Sequence, residues 1–159
     1  MPSGPLGVGL GAAQGMALGL RLAGNPARVY AVLGDGEIDE GTVWETAMSC
    51  AKYQLSNLTA ILDYNKVQLD GTNDEVMPLG DVEAKWRAFG WNVIRCDGHD
   101  IMALSDALDQ AEACQDRPTI LIADTVKGKG VSFMEGKSSW HGAALSDENL
   151  AIALKELEG

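Results

Sequence analysis

The sequence is poor in cysteine, histidine and basic side chains. It has three Cys and two His among 159 residues, and 12 Lys and Arg stand against 23 Asp and Glu. The cysteines, Cys50, Cys96 and Cys114, form no Cys-x-x-Cys pair and lack the histidines that would complete a zinc set. We therefore expect reduced core thiols in a cytoplasmic protein.

The shortage of positive charge also limits the partners. Phosphate backbones are bound largely by cationic side chains, so a net charge of -11 excludes nucleic acid as an expected partner. Long apolar runs are missing too, because the stretch 1–19 is interrupted by six glycines and carries no basic leader. We predict neither a membrane span nor a signal peptide.

Helical and strand patterns alternate along the chain. Continuous apolar runs at 29–33 and 58–62 predict strands that are buried on both faces. Further strands are predicted at 92–95 and 119–125, and helices at 9–23, 40–53, 81–89, 101–113 and from Ser146 onwards. Strands separated by helices favour an α/β fold with a mostly parallel sheet flanked by helices, and the length favours a single domain over residues 1–159.

Polar residues follow the first two predicted strands. Gly34-Asp35-Gly36 ends the first run, and Asn65 follows the second, thirty residues later. Ligands of parallel sheets lie beyond the carboxyl ends of the strands, where the loop 127–142 also begins. Carboxylate and carboxamide oxygens suit Mg²⁺, and the glycines allow backbone to approach a bulky anion. The pattern predicts a metal-diphosphate site.

Each of these residues also has a simpler interpretation. Asp35 could cap the helix that follows it, and Asn65 could be a turn residue. Glu40 and Glu45 could be exposed positions in the first turns of a helix, where acidic side chains are favoured.

The histidines and the loop lysines have alternatives as well. His141 could be a surface-loop histidine, and Lys127 and Lys129 could simply be solvated. His99 is interpreted as structural, since Asp97-Gly98-His99-Asp100 has the composition of a tight strand-to-helix turn.

The motifs, taken in order, resemble those of transketolases. A related oxoacid dehydrogenase subunit would share Gly34-Asp35-Gly36, but Trp44-Glu45 and Trp140-His141-Gly142 are closer to the transketolase pattern. The other motifs that follow the family order are Gly4-Pro5-Leu6-Gly7, Glu40-Gly41, Asp63-Tyr64-Asn65-Lys66, the stretch 85–91, Asp97-Gly98-His99-Asp100 and Lys127-Gly128-Lys129-Gly130.

The resemblance implies a three-layer thiamine-diphosphate-binding fold and a set of site residues. It makes Asp35, Asn65 and the main-chain oxygen of Val67 ligands of Mg²⁺, within a cofactor motif that includes Gly34 and Gly36. Gly36 would offer its backbone to the diphosphate.

Other residues take roles around the cofactor by the same resemblance. Gly4, Pro5 and Leu6 would line the aminopyrimidine and thiazolium rings. Lys127 and His141 would approach the phosphate side, with His141 also facing the substrate.

Glu40 and Glu45 match the acidic pair that lies between the two cofactor sites of the family's dimer. Interacting carboxylates titrate as a pair, so the resemblance implies that they share a proton. His141, Glu40 and Glu45 are therefore the expected catalytic residues.

The sequence also departs from the family pattern. The family has a long first segment before its Gly-Pro-Leu-Gly stretch, with histidines that contact cofactor and substrate, and only Met1-Pro2-Ser3 precedes Gly4 here. By this comparison we also expect the chain to lack the pyrimidine-binding domain, whose glutamate activates the cofactor. Val8 stands where the family usually has Gln. We therefore expect a pyrimidine-binding partner and an oligomer.

Two functions follow from this comparison. The first is the diphosphate- and Mg²⁺-binding half of a transketolase of the pentose phosphate pathway, moving a two-carbon ketol unit between a ketose phosphate and an aldose phosphate. It would be active only with its pyrimidine-binding half. The alternative is a truncated, non-catalytic relative that acts as a cofactor-binding or interaction module.

Overall fold

The computed structural model describes residues 4–158 and contains a four-stranded sheet. All strand pairs are parallel, and the order across the sheet is β1-β2-β4-β3. The strands are β1 (Val29–Gly34), β2 (Leu58–Tyr64), β3 (Asn92–Asp97) and β4 (Thr119–Asp124). The predicted α/β fold with a parallel sheet is confirmed.

Residues 4–158 contain six α-helices, of which the first precedes β1. Four of them begin and end near the predicted positions, and a fifth begins directly after the predicted Ser146. Side-chain caps explain three of these starts, because Asp81, Asp100 and Ser146 accept hydrogen bonds from amides of the first turns. The helices are α1 (Val8–Leu22), α2 (Gly41–Lys52), α3 (Asn73–Val76), α4 (Val82–Ala88), α5 (Ile101–Ala113) and α6 (Asp147–Leu157). The short α3 is the one that the sequence patterns did not predict.

The main core lies on one face of the sheet, beneath α1, α2 and α4. Ala31, Leu33, Ala60 and Leu62 point into it from β1 and β2. Trp86 is fully buried there, with its ring centroid 4.9 Å from those of two further tryptophans. Apolar burial on this scale is the main force that holds such a domain together.

The opposite face is covered unevenly, which makes one prediction wrong. β1 was expected to be buried on both faces, but Tyr30 is 46% and Val32 is 71% exposed, while Ala31 and Leu33 are buried. The reason is topological: β1 is an edge strand, and α5 packs on β3 and β4. The same prediction for β2 largely holds, with only Ile61 partly exposed in the run 58–62.

The cysteine prediction holds in part. All three thiols are free, but only Cys50 is buried in the core, whereas Cys96 and Cys114 are partly exposed. Burial raises the pKa of the Cys50 thiol to about 12. None of the helices in residues 4–158 combines the length and the hydropathy needed to span a bilayer.

Candidate functional site

The strands end in register, which brings their exit loops to one edge of the sheet. Gly34 of β1 pairs with Asp63 of β2, and Tyr64 of β2 pairs with Asp124 of β4. The Thr125 hydroxyl donates to the Asp63 carboxylate, and the Thr125 amide donates to the Tyr64 carbonyl. The exits of these three strands therefore meet at the carboxyl edge of the sheet.

Asp35 is the buried centre of this edge, with 2% of its surface exposed. Its Oδ1 accepts from the Gly36 amide at 2.9 Å. Its Oδ2 accepts from the Lys66 amide at 2.5 Å and from the Asn73 side chain at 3.0 Å. The capping interpretation is thus partly right, because Gly36 begins a 3-10 turn. The bonds to Lys66 and Asn73, however, tie Asp35 to the exit of β2.

The electrostatics of Asp35 favour a bound cation. Burial raises the pKa of its carboxyl group above the ordinary value, hydrogen bonds from Asn73, Lys66 and Gly36 lower it, and the nearby Asp63 raises it further. None of the ion pairs formed within residues 4–158 includes Asp35. A buried carboxylate without a counter-ion is costly, and a divalent cation bound to oxygen would compensate it.

Asn65 shapes the turn that follows β2. Its Oδ1 accepts from the Val67 amide at 3.0 Å, and its Nδ2 donates to Asp63 Oδ2 at 3.3 Å. A bridge between Val67 and Thr72 closes this turn. Asn65 therefore does serve as a turn residue, while its carboxamide oxygen keeps a second lone pair for another partner.

The donor set at this edge fits Mg²⁺ by its chemistry. Residues 4–158 contain no group of three or more His, Cys, Asp or Glu side chains arranged to hold a metal. The predicted set is of another kind, with one carboxylate from Asp35, one carboxamide from Asn65 and the main-chain oxygen of Val67. Hard oxygen donors of this type suit Mg²⁺, which usually keeps waters and substrate phosphates as its remaining ligands.

The two glycines beside Asp35 differ in their surroundings. A Cβ at Gly34 would meet nothing within 4 Å, whereas a Cβ at Gly36 would lie 3.2 Å from Gln68 Cγ. The Gly36 amide already donates to Asp35, so a diphosphate would have to share it. Gly34 leaves open space, and Gly36 is needed for close approach of the β2 exit turn.

Glu37 joins the N-terminal segment to the end of β1, a role that the sequence patterns did not reveal. Its Oε1 accepts from the Gly7 amide at 2.9 Å, and its Oε2 accepts from the Gly34 amide at 3.2 Å. Pro5 and Leu6 line, with Glu37, an open groove of about 480 Å³ between α1 and β1. The structure therefore brings the predicted segment from Gly4 to Leu6 close to the diphosphate motif.

The loop after β4 carries Lys127 and His141, and the structure places them against each other. Lys127 Nζ lies 3.2 Å from His141 Nδ1, and the neighbouring Trp140 ring packs on Phe133 at 5.1 Å. His141 is exposed, and the hydrogen bonds of Asp35 and Asn65 do not involve this loop. His99 is structural, as expected, because its Nε2 accepts from the Val126 amide at 2.8 Å.

Glu40 and Glu45 are both exposed at the start of α2. Glu40 precedes the first helical residue without a side-chain capping bond. In this chain by itself they are solvated side chains rather than a buried pair. Their role between two cofactor sites stays a prediction, since it requires a second chain.

A family model described as "Transketolase, thiamine diphosphate binding domain" matches residues 1–158. Similar curated proteins include the 6-deoxy-6-sulfo-D-fructose transketolase subunit SqwG of Clostridium sp. (strain MSTE9), which is 45% identical over 158 residues. Another is an apulose-4-phosphate transketolase subunit of Actinobacillus succinogenes, 38% identical over 156 residues. The matches cover 99% and 98% of this chain but 58% and 56% of those proteins.

A solved structure has the same fold. The transketolase of Campylobacter jejuni superimposes with a TM-score of 0.92 at 28% identity, over 98% of this chain and 26% of that one. The chain thus spans a little over half of the two curated relatives and about a quarter of that transketolase. It belongs to the transketolase family, as part of its thiamine diphosphate binding domain.

Proposed function

We propose that this chain is the diphosphate- and Mg²⁺-binding half of a transketolase that works with a separate pyrimidine-binding half. It would transfer a two-carbon ketol unit from a ketose phosphate to an aldose phosphate. The observation that carries the proposal is Asp35, a buried carboxylate that joins the exits of β1 and β2 and has no charged partner among residues 4–158. Similar proteins that carry the word subunit in their names support a divided enzyme.

The carboxyl edge of the sheet would hold the cofactor. Asp35, Asn65 and the Val67 carbonyl would bind Mg²⁺, which would neutralise the diphosphate on a strongly acidic protein. Thiamine diphosphate, when bound, supplies an electron sink for breaking and forming the carbon–carbon bond. Gly34 would let the diphosphate approach the backbone.

The N-terminal segment would cover the rings of the cofactor. Leu6 is 58% exposed beside the open groove, so its side chain is free to pack on a ligand and exclude water. The hydrogen bonds that Glu37 accepts from the Gly7 and Gly34 amides hold this segment at a fixed distance from the diphosphate motif. Orientation of this kind lowers the entropy cost of reaching the reactive geometry.

His141 would act on the substrate through its outer nitrogen. The Lys127 ammonium can only donate, so at 3.2 Å it directs the lone pair of His141 Nδ1 toward itself. The proton of the neutral ring is then on Nε2, which can donate to a sugar hydroxyl or move a proton there. Closure of this loop toward Asp35 is part of the proposal.

The second half would bind against surfaces that are open in this chain. Glu40 and Glu45 are solvated, and Tyr30 and Val32 expose apolar surface on β1. A pyrimidine-binding half would bury the acidic pair and supply the group that activates the cofactor. We place the assembly in the cytoplasm and its reaction in sugar-phosphate metabolism.

Ligand-dependent stability tests the cofactor site directly. Thiamine diphosphate and Mg²⁺ at a hundred times the dissociation constant should stabilise the protein by about 2.7 kcal/mol, measured by thermal unfolding with the partner half present. Asp35→Asn should abolish this gain, because the neutral side chain no longer compensates the cation. Asp39→Asn, which removes an exposed carboxylate of the same 3-10 turn, is the matched control.

The outcomes separate the two functions. Absence of any stabilisation by ligand would reject the cofactor site. Binding that depends on Asp35, without ketol transfer in any combination with a partner half, would favour the non-catalytic binding module.

A further inference from the structure

Asn73 contacts the predicted metal ligand Asp35, and the family resemblance assigns it no role. It is the first residue of α3 and is 5% exposed. Its Nδ2 donates to Asp35 Oδ2 at 3.0 Å, and its backbone amide donates to the Lys66 carbonyl at 3.0 Å. Asn73 therefore holds both the residue after β1 and the turn after β2.

The start of α3 fixes the position of this asparagine. Thr72 and Glu75 form a reciprocal capping box, in which each side chain accepts from the backbone amide of the other residue. The turn from Lys66 to Thr72 is closed by the bridge between Val67 and Thr72. The backbone thus delivers the Asn73 side chain to Asp35.

The Asn73 side chain is oriented so that its nitrogen bonds to Asp35, and its oxygen is left without a hydrogen-bond partner among residues 4–158. An ionised carboxylate only accepts hydrogen bonds, so the amide nitrogen of Asn73 must face Asp35. Its Oδ1 is then buried, and within residues 4–158 it has no hydrogen-bond partner. A buried polar atom without a partner lowers stability, and an apolar residue of similar size would avoid that loss. What the asparagine supplies here is therefore its single side-chain hydrogen bond among the described residues, the one to Asp35.

The hydrogen bond from Asn73 fills one of the acceptor positions of the Asp35 carboxylate. A carboxylate oxygen has two lone-pair sites. Asp35 Oδ2 uses both, for the Lys66 amide and for Asn73, whereas Oδ1 uses one, for the Gly36 amide. Oδ1 alone retains an open position, so a cation at this carboxylate would bind through Oδ1.

We propose that Asn73 is a positioning residue for the Mg²⁺-diphosphate site. By donating to Asp35 Oδ2, Asn73 leaves Oδ1 as the oxygen that binds the cation. The inference rests on the proposed function. Residues that hydrogen-bond to metal ligands orient them, and their loss typically weakens metal binding by about tenfold to a hundredfold.

The test compares Asn73→Ala with a matched asparagine at the opposite end of β2. Asn57 Nδ2 also donates a single bond at 3.0 Å, to the Ala17 carbonyl, and its Oδ1 is likewise buried without a partner among the described residues. Calorimetric titration of Mg²⁺ at saturating thiamine diphosphate should show binding weakened about tenfold or more in Asn73→Ala. Asn57→Ala should leave the Mg²⁺ affinity unchanged, whatever stability it loses.

A second variant allows the same measurement if Asn73→Ala fails to fold. Asn73→Leu keeps the branched shape of the side chain, with larger end groups, and removes the donor. It should weaken Mg²⁺ binding as Asn73→Ala does. Wild-type Mg²⁺ affinity in a folded Asn73 variant would overturn the proposal.

Failure of the proposed function would look different. If the wild-type protein binds no thiamine diphosphate, the cofactor assignment fails, and crystal structures without ligand decide the positioning role. Asn73→Leu should then show the Asp35 carboxylate rotated away from the Lys66 amide. An Asp35 side chain that keeps its place and its bonds in that variant would refute the role of Asn73.

Discussion

Two carboxylates, two positions apart in the chain, organise the site by accepting backbone amides. Asp35 accepts from Gly36 and Lys66, and Glu37 accepts from Gly7 and Gly34. Neither forms an ion pair within residues 4–158. Amides supply directional donors without adding cationic side chains, so the site keeps its negative charge for a divalent ion.

Glu37→Gln should loosen the N-terminal segment. A glutamine keeps the size of the side chain but has one acceptor oxygen, so either the Gly7 or the Gly34 amide loses its partner. Hydrogen bonds to charged groups contribute about 1.5 to 3 kcal/mol, so we expect a loss of about 2 kcal/mol in the free energy of unfolding.

Denaturant titration measures this loss, and amide exchange locates it. The Gly7 and Gly34 amides should exchange faster in Glu37→Gln. Glu45→Gln, an exposed change on α2, should stay within about 0.5 kcal/mol of wild type. Equal stability of the two variants would show that Glu37 does not hold the segment.

Sequence patterns predicted the polar residues that follow the strands. They missed the residues that contact these positions from other loops. Asp35 and Asn65 follow apolar runs, and parallel pairing brings such positions together. Glu37 and Asn73 act through bonds that depend on how loops fold back, which periodicity does not encode. One signal was available for Asn73: Thr72 and Glu75 stand three residues apart, the spacing of a capping box.

At the scale of elements, the residue that precedes α1, Gly7, is a glycine for two separate reasons. Gly7 has φ of 79°, and a Cβ there would collide with Thr42 Oγ1 and lie 3.0 Å from Glu40 Cβ. Gly24, beyond the end of α1, has φ of 65° but nothing within 4 Å of its Cβ position. Both glycines have a positive φ, which other residues rarely adopt, but only at Gly7 would a side chain also collide with its neighbours.

Gly7→Ala should therefore destabilise the protein more than Gly24→Ala. The left-handed conformation costs about 1 to 2 kcal/mol for an alanine at either position. Crowding against α2 adds about 1 to 3 kcal/mol at Gly7 alone. Thermal unfolding of both variants checks this difference, and similar losses would show that α1 can shift away from α2 without cost.

An ion-pair network ties β3 to β4 and α4 at the far edge of the sheet. Arg95 donates to both carboxylate oxygens of Asp124, at 2.6 and 2.8 Å, and to Glu83 at 3.1 Å. Hydrogen bonds from Arg95 hold the pKa of the Asp124 and Glu83 carboxyl groups below their ordinary values of 3.8 and 4.5. Groups with lowered carboxyl pKa values stabilise the fold above those values and stop doing so in acid.

Arg95→Met should lower the free energy of unfolding near neutral pH by no more than about 1 kcal/mol, because these side chains are partly solvated. The difference from wild type should shrink as the pH falls below 4.5 and 3.8, where the carboxylates become protonated in the unfolded chain. Urea titrations across this range measure it. Arg117→Met is the control, since Arg117 pairs with its sequence neighbour Asp116 and can do so in the unfolded chain too.

The order of elements was predictable, but the burial of one strand was not. The helices predicted at 9–23 and 101–113 match α1 and α5 closely, because their apolar period and caps are local signals. The run from Val29 to Leu33 has the composition of a central strand, yet it lies at the edge with Val32 exposed. Position in a sheet depends on pairing partners distant in sequence, so composition alone cannot supply it.

For the molecule as a whole, two facts support the proposal of a partner half: its acidity and its partial coverage of its relatives. The net charge of -11 destabilises a compact state through self-repulsion. The chain also covers only 58% and 56% of the two curated relatives that it resembles. The pyrimidine-binding half proposed above would bury the open side of β1 and the solvated acids of α2.

This acidity means that any cation should stabilise the protein, so the specific effect of Mg²⁺ must be separated from screening. Raising NaCl from about 0.01 M to about 0.1 M shortens the screening length from about 30 Å to about 10 Å. We expect the unfolding midpoint to rise equally in wild type and Asp35→Ala. At matched ionic strength and with thiamine diphosphate, MgCl₂ should add a further rise in wild type only, because Asp35 is the buried acid that a bound ion would compensate. Equal Mg²⁺ responses in the two proteins would mean that the metal acts through surface charge alone.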